Sequence, residues 1–272
     1  MIEVTIETSE WQEVLVALLG ELGYEGFEQQ DELLKAYIPE PRFQREALEE
    51  LLGRYGLTYE QQRLEERNWN EEWEKNFQPV VVDDFCAIRA HFHTPIPGVE
   101  HELVITPKMS FGTGHHATTY MMIQAMKVLD WKGKRVLDFG TGTGVLAILA
   151  DRLGAGEVLA IDNDDWSIAN AQENMENNAC KNMKVSKIDT LSNLSETFDI
   201  ILANINKQVI LAELGEIGQH LGEGGVILLS GLLEDDYQDI ENESVKNKIS
   251  ISVRMTKKAW ICLRLGKTSS PR

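Results

Sequence analysis

The chain has 272 residues, 43% of them apolar, with 44 acidic against 26 basic side chains and a formal charge of −18. That length holds one large or two modest domains, and the apolar share suits ordinary buried cores. No run of about 18 apolar residues suggests a membrane span. The opening MIEVTIETSEW lacks the basic-then-apolar order of a secretory leader. Cys86, Cys180 and Cys262 stand too far apart for a CxxC zinc module, so a cytosolic protein is expected.

The charge is skewed. Residues 1–79 hold 19 acids and 7 bases, and residues 80–272 hold 25 acids and 19 bases. An acidic surface repels nucleic-acid phosphates and attracts basic partners, so no direct nucleic-acid recognition is expected. Acidic side chains also simply keep a small domain soluble.

Residues 1–62 predict a compact α+β unit. MIEVTIE alternates like a strand, and Thr8 or Ser9 is placed to cap a helix through WQEVLVALLGELG, with Gly23 near its end. GFEQQ and LLKAYIP read as strands joined by a tight turn at Asp31–Glu32; FQREALEELLGRYG has helical spacing, and LTYEQQRL reads as a last strand. Strand-helix-strand-strand-helix-strand is the split βαβ, ferredoxin-like order, and nothing in it suggests catalysis. Residues 63–79 then predict a linker helix, with Trp69, Trp73 and Phe77 on one stripe and Pro79 as its stop.

From Val80 to residue 272 the pattern predicts a Rossmann-like domain. Short strands (VVV, CAIRAHF, HELVITP) precede MSFGTGHHATTYMMIQAMKVL, a glycine-containing loop leading into an apolar helix ending near Trp131. Adjacent His115 and His116 would lie about 100° apart on a helix, a poor pair for one metal, and no metal is expected. Thr118 and Thr119 open the helix, where hydroxyls commonly cap free N–H groups.

Arg135 to Gly144, RVLDFGTGTG, is the chemical centre of the domain. An apolar run enters glycines and then a helical pattern, LAILADRL, which reads as strand, loop, helix. Glycines let a backbone approach a ligand closely, and the N–H groups of the following helix can face its polar atoms. Counting from Gly140 and Gly142, the third glycine of GxGxxG would fall at Val145, so the nicotinamide and flavin fingerprint is not met, and no GK[ST] follows. The sequence instead has DxGxGxG, with Asp162 ending the next apolar strand, 22 residues beyond Gly140, where an acid suits a ribose diol. The pattern resembles the S-adenosylmethionine (AdoMet) loop of Rossmann-like methyltransferases.

Beyond it, WSIANAQENMENNA (helix), KVSKID (strand), FDIILANI (strand), QVILAELGEIGQHL (helix), VILLSGL (strand), LEDDYQDIENESV (helix) and a terminal hairpin ISISVRMT–AWICLRL predict a doubly wound, mostly parallel seven-stranded sheet. Ligands in such sheets sit at the carboxyl ends of the strands, where Gly140, Asp162 and Asn204 all fall.

Taken together, FGTGHHATT, DFGTGTG, Asp162 and ILANI at 201–205 resemble the ribosomal protein L-eleven methyltransferase family over nearly the whole chain. The resemblance implies an acidic ferredoxin-like substrate-recognition domain, a linker helix and a class I methyltransferase domain. It also implies AdoMet as cofactor and a basic large-subunit ribosomal protein as substrate, methylated at its N-terminal amine and at lysines. Phe111, Gly112, Thr113, Gly114, His116, Thr118 and Thr119 match the family's FGTGxHxTT motif. The cofactor contacts it implies are Phe111, Thr118, Thr119, Gly140, Gly142, Asp162 and Asn204, with Asn204 also catalytic. Thr106, Lys108 and Ser110 depart from the family's DPGxAFGTG. Asp138 is expected to brace the glycine loop, and the Asn204 carbonyl to accept the hydrogens of an attacking amine. ILANINKQ lacks the [DN]PP[YF] of enzymes that act on bases or amides, so a nucleobase would find no stacking surface there. A monomer is expected. Another basic protein or small amine as substrate, and a non-catalytic AdoMet-binding module docking on ribosomes, stay open as alternatives.

Overall fold

The computed structural model describes residues 1–63, 78–106 and 116–268. The chain divides into two compact units, Met1–Phe77 and Gln78–Arg272. The linker helix predicted over 63–79, with Trp69, Trp73 and Phe77, lies outside the described residues at 64–77; of its ends, Arg63 belongs to a strand and 78–79 are not helical.

In the first unit, β1 (Ile2–Glu7), α1 (Gln12–Glu21), β2 (Gly26–Gln29), β3 (Leu33–Ile38), α2 (Arg45–Gly53) and β4 (Tyr59–Arg63) follow in order. The antiparallel sheet runs β2-β3-β1-β4. Alternation in β1 sends Ile2, Val4 and Ile6 to one face, where they join Leu15, Leu19, Leu48 and Leu52 of the helices in a core. Asp31 and Glu32 form the two-residue β2–β3 turn, with Gln30 N–H donating to Leu33 O at 2.9 Å and Leu33 N–H returning to Gln30 O at 3.3 Å. The start of α1 differs from expectation. The helix begins at Gln12 without a side-chain cap at Trp11, because the Thr8 hydroxyl closes the preceding bend by accepting Trp11 N–H at 3.2 Å.

The second unit opens with β5 (Val80–Val82), β6 (Cys86–Arg89) and β7 (His101–Val104), a small sheet in that order. Next come α3 (Ala117–Met126), β8 (Arg135–Phe139), α4 (Val145–Arg152), β9 (Glu157–Asp162), α5 (Asp165–Asn177), β10 (Met183–Lys187) and β11 (Phe198–Asn204). Then follow α6 (Lys207–His220), β12 (Leu221–Leu233), α7 (Tyr237–Lys246), β13 (Ile249–Lys257) and β14 (Trp260–Lys267). Helix α3 stops five residues short of the expected Trp131, because that indole folds back and donates from Nε1 to Met126 O at 2.9 Å, closing the helix end.

The seven-stranded sheet runs β10-β9-β8-β11-β12-β14-β13. Its first five strands pair in parallel, and β14 runs antiparallel to both β12 and β13. Strands β8 and β11 are buried on both faces, which explains their unbroken apolar runs. One core packs α3 and α4 on one face; α6 and α7 cover the other. From β8 the chain winds outward through β9 to β10 and then returns to β11 on the far side of β8. Winding reverses there, opening a crevice at the carboxyl ends of β8 and β11.

Candidate cofactor site

Strand β8 delivers its buried carboxyl end to Gly140, Gly142 and Gly144, with φ of 74°, 53° and 83°. All three are left-handed, so the chain turns here in a way that side-chain-bearing residues resist. At Gly140 a Cβ would also collide with the side chain of Ile205. The loop is tied to β9 by Gly140 N–H and Thr141 N–H, both donating to Ile161 O at 2.9 Å.

Asp138 lies beneath the loop, 1% exposed, and accepts from the Thr141 hydroxyl at 2.6 Å. Burial pushes its carboxyl up to about 7, with the nearby Asp162 charge adding to the rise; hydrogen bonds from Thr141 and the Ala147 amide oppose it. Asp138 therefore supports the loop from within. Asp162 ends β9, where one carboxylate oxygen accepts Gly142 N–H at 3.0 Å and the other Asp164 N–H at 3.1 Å. Each oxygen keeps a second lone pair for a ligand.

Asn204 ends β11, level with Ser230 of β12. Its Nδ2 donates to Thr119 Oγ1 at 3.3 Å, while its Oδ1 is buried without a partner among the described residues. Leaving a buried acceptor unpaired costs about 1–3 kcal/mol, which makes this atom a candidate ligand contact.

Gly140, Gly142, Asp162 and Asn204 line one concavity of about 320 Å³ at this crevice, within the range of small-molecule sites. Thr119 joins them through Asn204. Thr118 is fully buried, with its hydroxyl 2.8 Å from His116 Nδ1. The expectation that Thr118 or Thr119 caps α3 is corrected: His116 holds the cap position, its Nδ1 accepting Thr118 N–H at 3.4 Å. The His116 ring meets Trp260 edge-on at 4.5 Å. Phe111 lies outside the described residues. Among the described residues no cluster of three or more His, Cys, Asp or Glu side chains suits a metal ion.

Sequence reasoning missed Ile188, Asp189, Ile205, Asn206 and Val209, which also line it, as do Phe139, Asn163 and Ser167. One signal was available for Asp189: it is an acid just past the carboxyl end of a parallel strand, as Asp162 is the acid that ends one. Asn206 also caps α6, accepting Val209 N–H at 3.0 Å.

The strand order, the reversal between β8 and β11 and the glycine loop at that point define a class I methyltransferase fold. A methyltransferase from Pyrococcus furiosus shares the fold at 20% identity, with a TM-score of 0.51 over 60% of this chain and 87% of that one. The model of the family described as ribosomal protein L11 methyltransferase (PrmA) matches residues 3–268. The chain is 40% identical to the ribosomal protein L11 methyltransferase of Porphyromonas gingivalis over 278 residues, covering 99% of this chain and 95% of that protein. It is 39% identical to that of Phocaeicola vulgatus over 274 residues, covering 97% and 98%. A crystal structure of ribosomal protein L11 methylase from Lactobacillus delbrueckii subsp. bulgaricus superposes with a TM-score of 0.64 at 29% identity, over 71% of this chain and all of that one. The chain belongs to the ribosomal protein L11 methyltransferase family.

Proposed function

We propose that this chain transfers methyl groups from AdoMet to amino groups of ribosomal protein L11, its N-terminal α-amine and lysine ε-amines. The single observation that carries the amine reading is the unpartnered Oδ1 of Asn204. Nδ2 gives one of its two hydrogens to Thr119, and Oδ1 is the end of the amide with no partner among the described residues. An acceptor fits the N–H of a neutral amine.

The residues present fit AdoMet. The positive-φ glycines leave room for its amino-acid portion against the loop, Asp162 offers lone pairs to a ribose diol, and Ile188, Asp189 and Val209 supply a partly apolar wall for a purine. When bound, AdoMet supplies a methyl group on a sulfonium, which an amine lone pair takes as the carbon–sulfur bond breaks toward sulfur.

The chain's own task is to bind, align and dry the reactants. An α-amine ionises at about 7.7–8.0 and a lysine amine at about 10.4, so each must shed a proton before attack, and a partly desolvated crevice favours the neutral form. Asn204 Oδ1 then accepts one amine hydrogen and orients the lone pair. Asp138 takes no part in that proton's removal, being enclosed beneath the glycine loop.

Residues 1–62 serve recognition and residues 80–272 catalysis, joined by the linker 63–79. Support for recognition is electrostatic: 19 acids against 7 bases in residues 1–79. On the first unit Glu7, Asp31 and Glu32 border a concavity of about 580 Å³. A lysine-rich protein complements such a surface. The test is incubation of the purified chain with methyl-tritiated AdoMet and unmethylated L11, followed by peptide mass mapping. Label on amines of L11 is the expected result; label absent from L11 sinks the proposal.

A further inference from the structure

Asn170, Asn174 and Asn178 recur at four-residue intervals along one face of α5 and its C-terminal cap, and are 0%, 0% and 3% exposed. Asparagine is unfavourable inside helices because its amide competes for backbone groups, and a buried amide needs partners. The partners here are the backbone of the chain leaving β7. Val104 N–H donates to Asn178 Oδ1 at 2.9 Å, and Asn178 Nδ2 donates to Val104 O at 2.7 Å. Thr106 N–H donates to Asn174 Oδ1 at 2.8 Å, and Asn170 Nδ2 reaches Thr106 O at 3.4 Å. Strand β7 is an edge of its small sheet, so side-chain amides take the place of a missing neighbour strand.

Asn174 makes two further bonds. Its Nδ2 donates to Thr143 O at 2.8 Å, inside the glycine loop between Gly142 and Gly144. With Oδ1 held by Thr106 N–H and Nδ2 by Thr143 O, the orientation of the amide is set, and Asn170 Oδ1 adds a second acceptor to Nδ2 at 3.3 Å. One buried side chain thus spans from the cofactor loop to the residue that precedes segment 107–115, which carries Phe111 in the sequence. Asn178 holds the same stretch but has no bond to the glycine loop.

We infer that Asn174 is a positioning residue for the cofactor loop, registering Thr143 against Thr106 so that the loop's backbone is already in its binding shape, while Asn178 only secures β7. The inference rests on the reading of the concavity as the AdoMet site. Three variants separate the roles. Asn174→Asp keeps an acceptor for Thr106 N–H but sets a carboxylate oxygen against Thr143 O; Asn174→Leu loses both of these bonds and the one to Asn170 Oδ1; Asn178→Leu loses the tie to β7 and its bond to Asn174 O, and removes no bond to the glycine loop. AdoMet affinity by calorimetry, thermal stability, and amide exchange of residues 142–147 in the free protein are compared across them.

Both Asn174 variants are expected to weaken AdoMet about tenfold, the size of a typical coupling between linked elements, and to speed exchange in the glycine loop. Asn178→Leu is expected to lower Tm yet leave Kd within about twofold and loop exchange unchanged. If Asn174→Leu does not fold, Asn174→Asp and Asn174→Ser carry the comparison. Affinity that merely follows Tm across the variants, or loop exchange unmoved by Asn174→Asp, overturns the inference. Wild-type protein that fails to bind AdoMet overturns the cofactor reading instead, and the exchange measurement then still decides whether Asn174 holds the loop.

Discussion

Replacing Asn204 with alanine separates function from stability, because the two effects have opposite structural origins. The variant removes a buried oxygen without a partner, relieving about 1–3 kcal/mol. It also removes the 3.3 Å bond from Nδ2 to Thr119 Oγ1, at a cost of about 0.5–1.5 kcal/mol, and some packing at a partly exposed position. These nearly offset, so stability is expected to change by less than about 1 kcal/mol. For a domain this size that is a shift of about 2–4 °C in Tm. Turnover responds differently. A single preorganised polar group that acts on the transition state is worth roughly 100- to 1,000-fold in kcat. The assay pairs a thermal scan with methyl transfer to L11 and calorimetric titration with AdoMet. A kcat within about threefold of wild type, with AdoMet binding intact, refutes the role given to Asn204. A loss of 3 kcal/mol or more would show instead that the residue is a structural member.

Other perturbations probe the loop and the acidic unit. Gly140→Ala forces a left-handed residue against the Ile205 side chain, and Gly231→Ala, with φ of 87° at wild type, meets the Ile205 backbone. Since backbone yields less readily than a side chain, urea denaturation is expected to rank Gly231→Ala as the more destabilising, both exceeding the roughly 1–2 kcal/mol of the backbone conformation alone. Asp138 has a folded-state pKa raised to about 7 from an ordinary 3.8, so its favourable contribution is complete below pH 3.8 and is lost as pH rises toward 7. At about 1.4 kcal/mol per pH unit, Asp138→Asn is expected to gain on wild type by roughly 3 kcal/mol between pH 5 and 8 in urea midpoints; a constant difference would show the carboxyl is ionised throughout. Glu7→Lys, Asp31→Lys and Glu32→Lys combined are expected to raise KM for L11 at low salt with kcat unchanged, and an unaltered salt dependence of KM would remove electrostatic recruitment by this surface.

Much of the fold follows from short-range pattern. Strand β1 alternates because one of its faces is buried, and β8 and β11 are apolar throughout because both of theirs are. Gly140, Asp162 and Asn204 were legible for a related reason: each ends a strand that announces itself, and parallel sheets gather those ends. What escaped reading depends on distant partners. Asn174 bonds to Thr106, 68 residues earlier, and to Thr143, 31 residues earlier, and neither distance leaves a periodic trace. An asparagine every fourth residue was visible, but on a helix it reads as a polar face until burial shows otherwise. The α3 cap fell to His116 rather than to a threonine because an imidazole nitrogen can accept an N–H as a hydroxyl does, and cap preferences from sequence favour the commoner residue.

Ile205 shows why the crevice required two separate concessions from the chain. Gly140 in the cofactor loop clears its side chain, and Gly231 in β12 clears its carbonyl. Both glycines are left-handed, and Gly231 sits where the β12–β14 register slips between Leu229 and Leu232. The residue after Asn204 is thus threaded between the ends of two neighbouring strands, closer than side-chain-bearing residues would allow. Its backbone position fixes where β11 ends, and Asn204 is that end. The Oδ1 of Asn204, without a partner among the described residues, and the two left-handed glycines are therefore parts of one arrangement: irregularities on three adjacent strands that hold a single buried acceptor at the crevice. A fold optimised for stability alone would pair the acceptor, relax the glycines, and close the crevice.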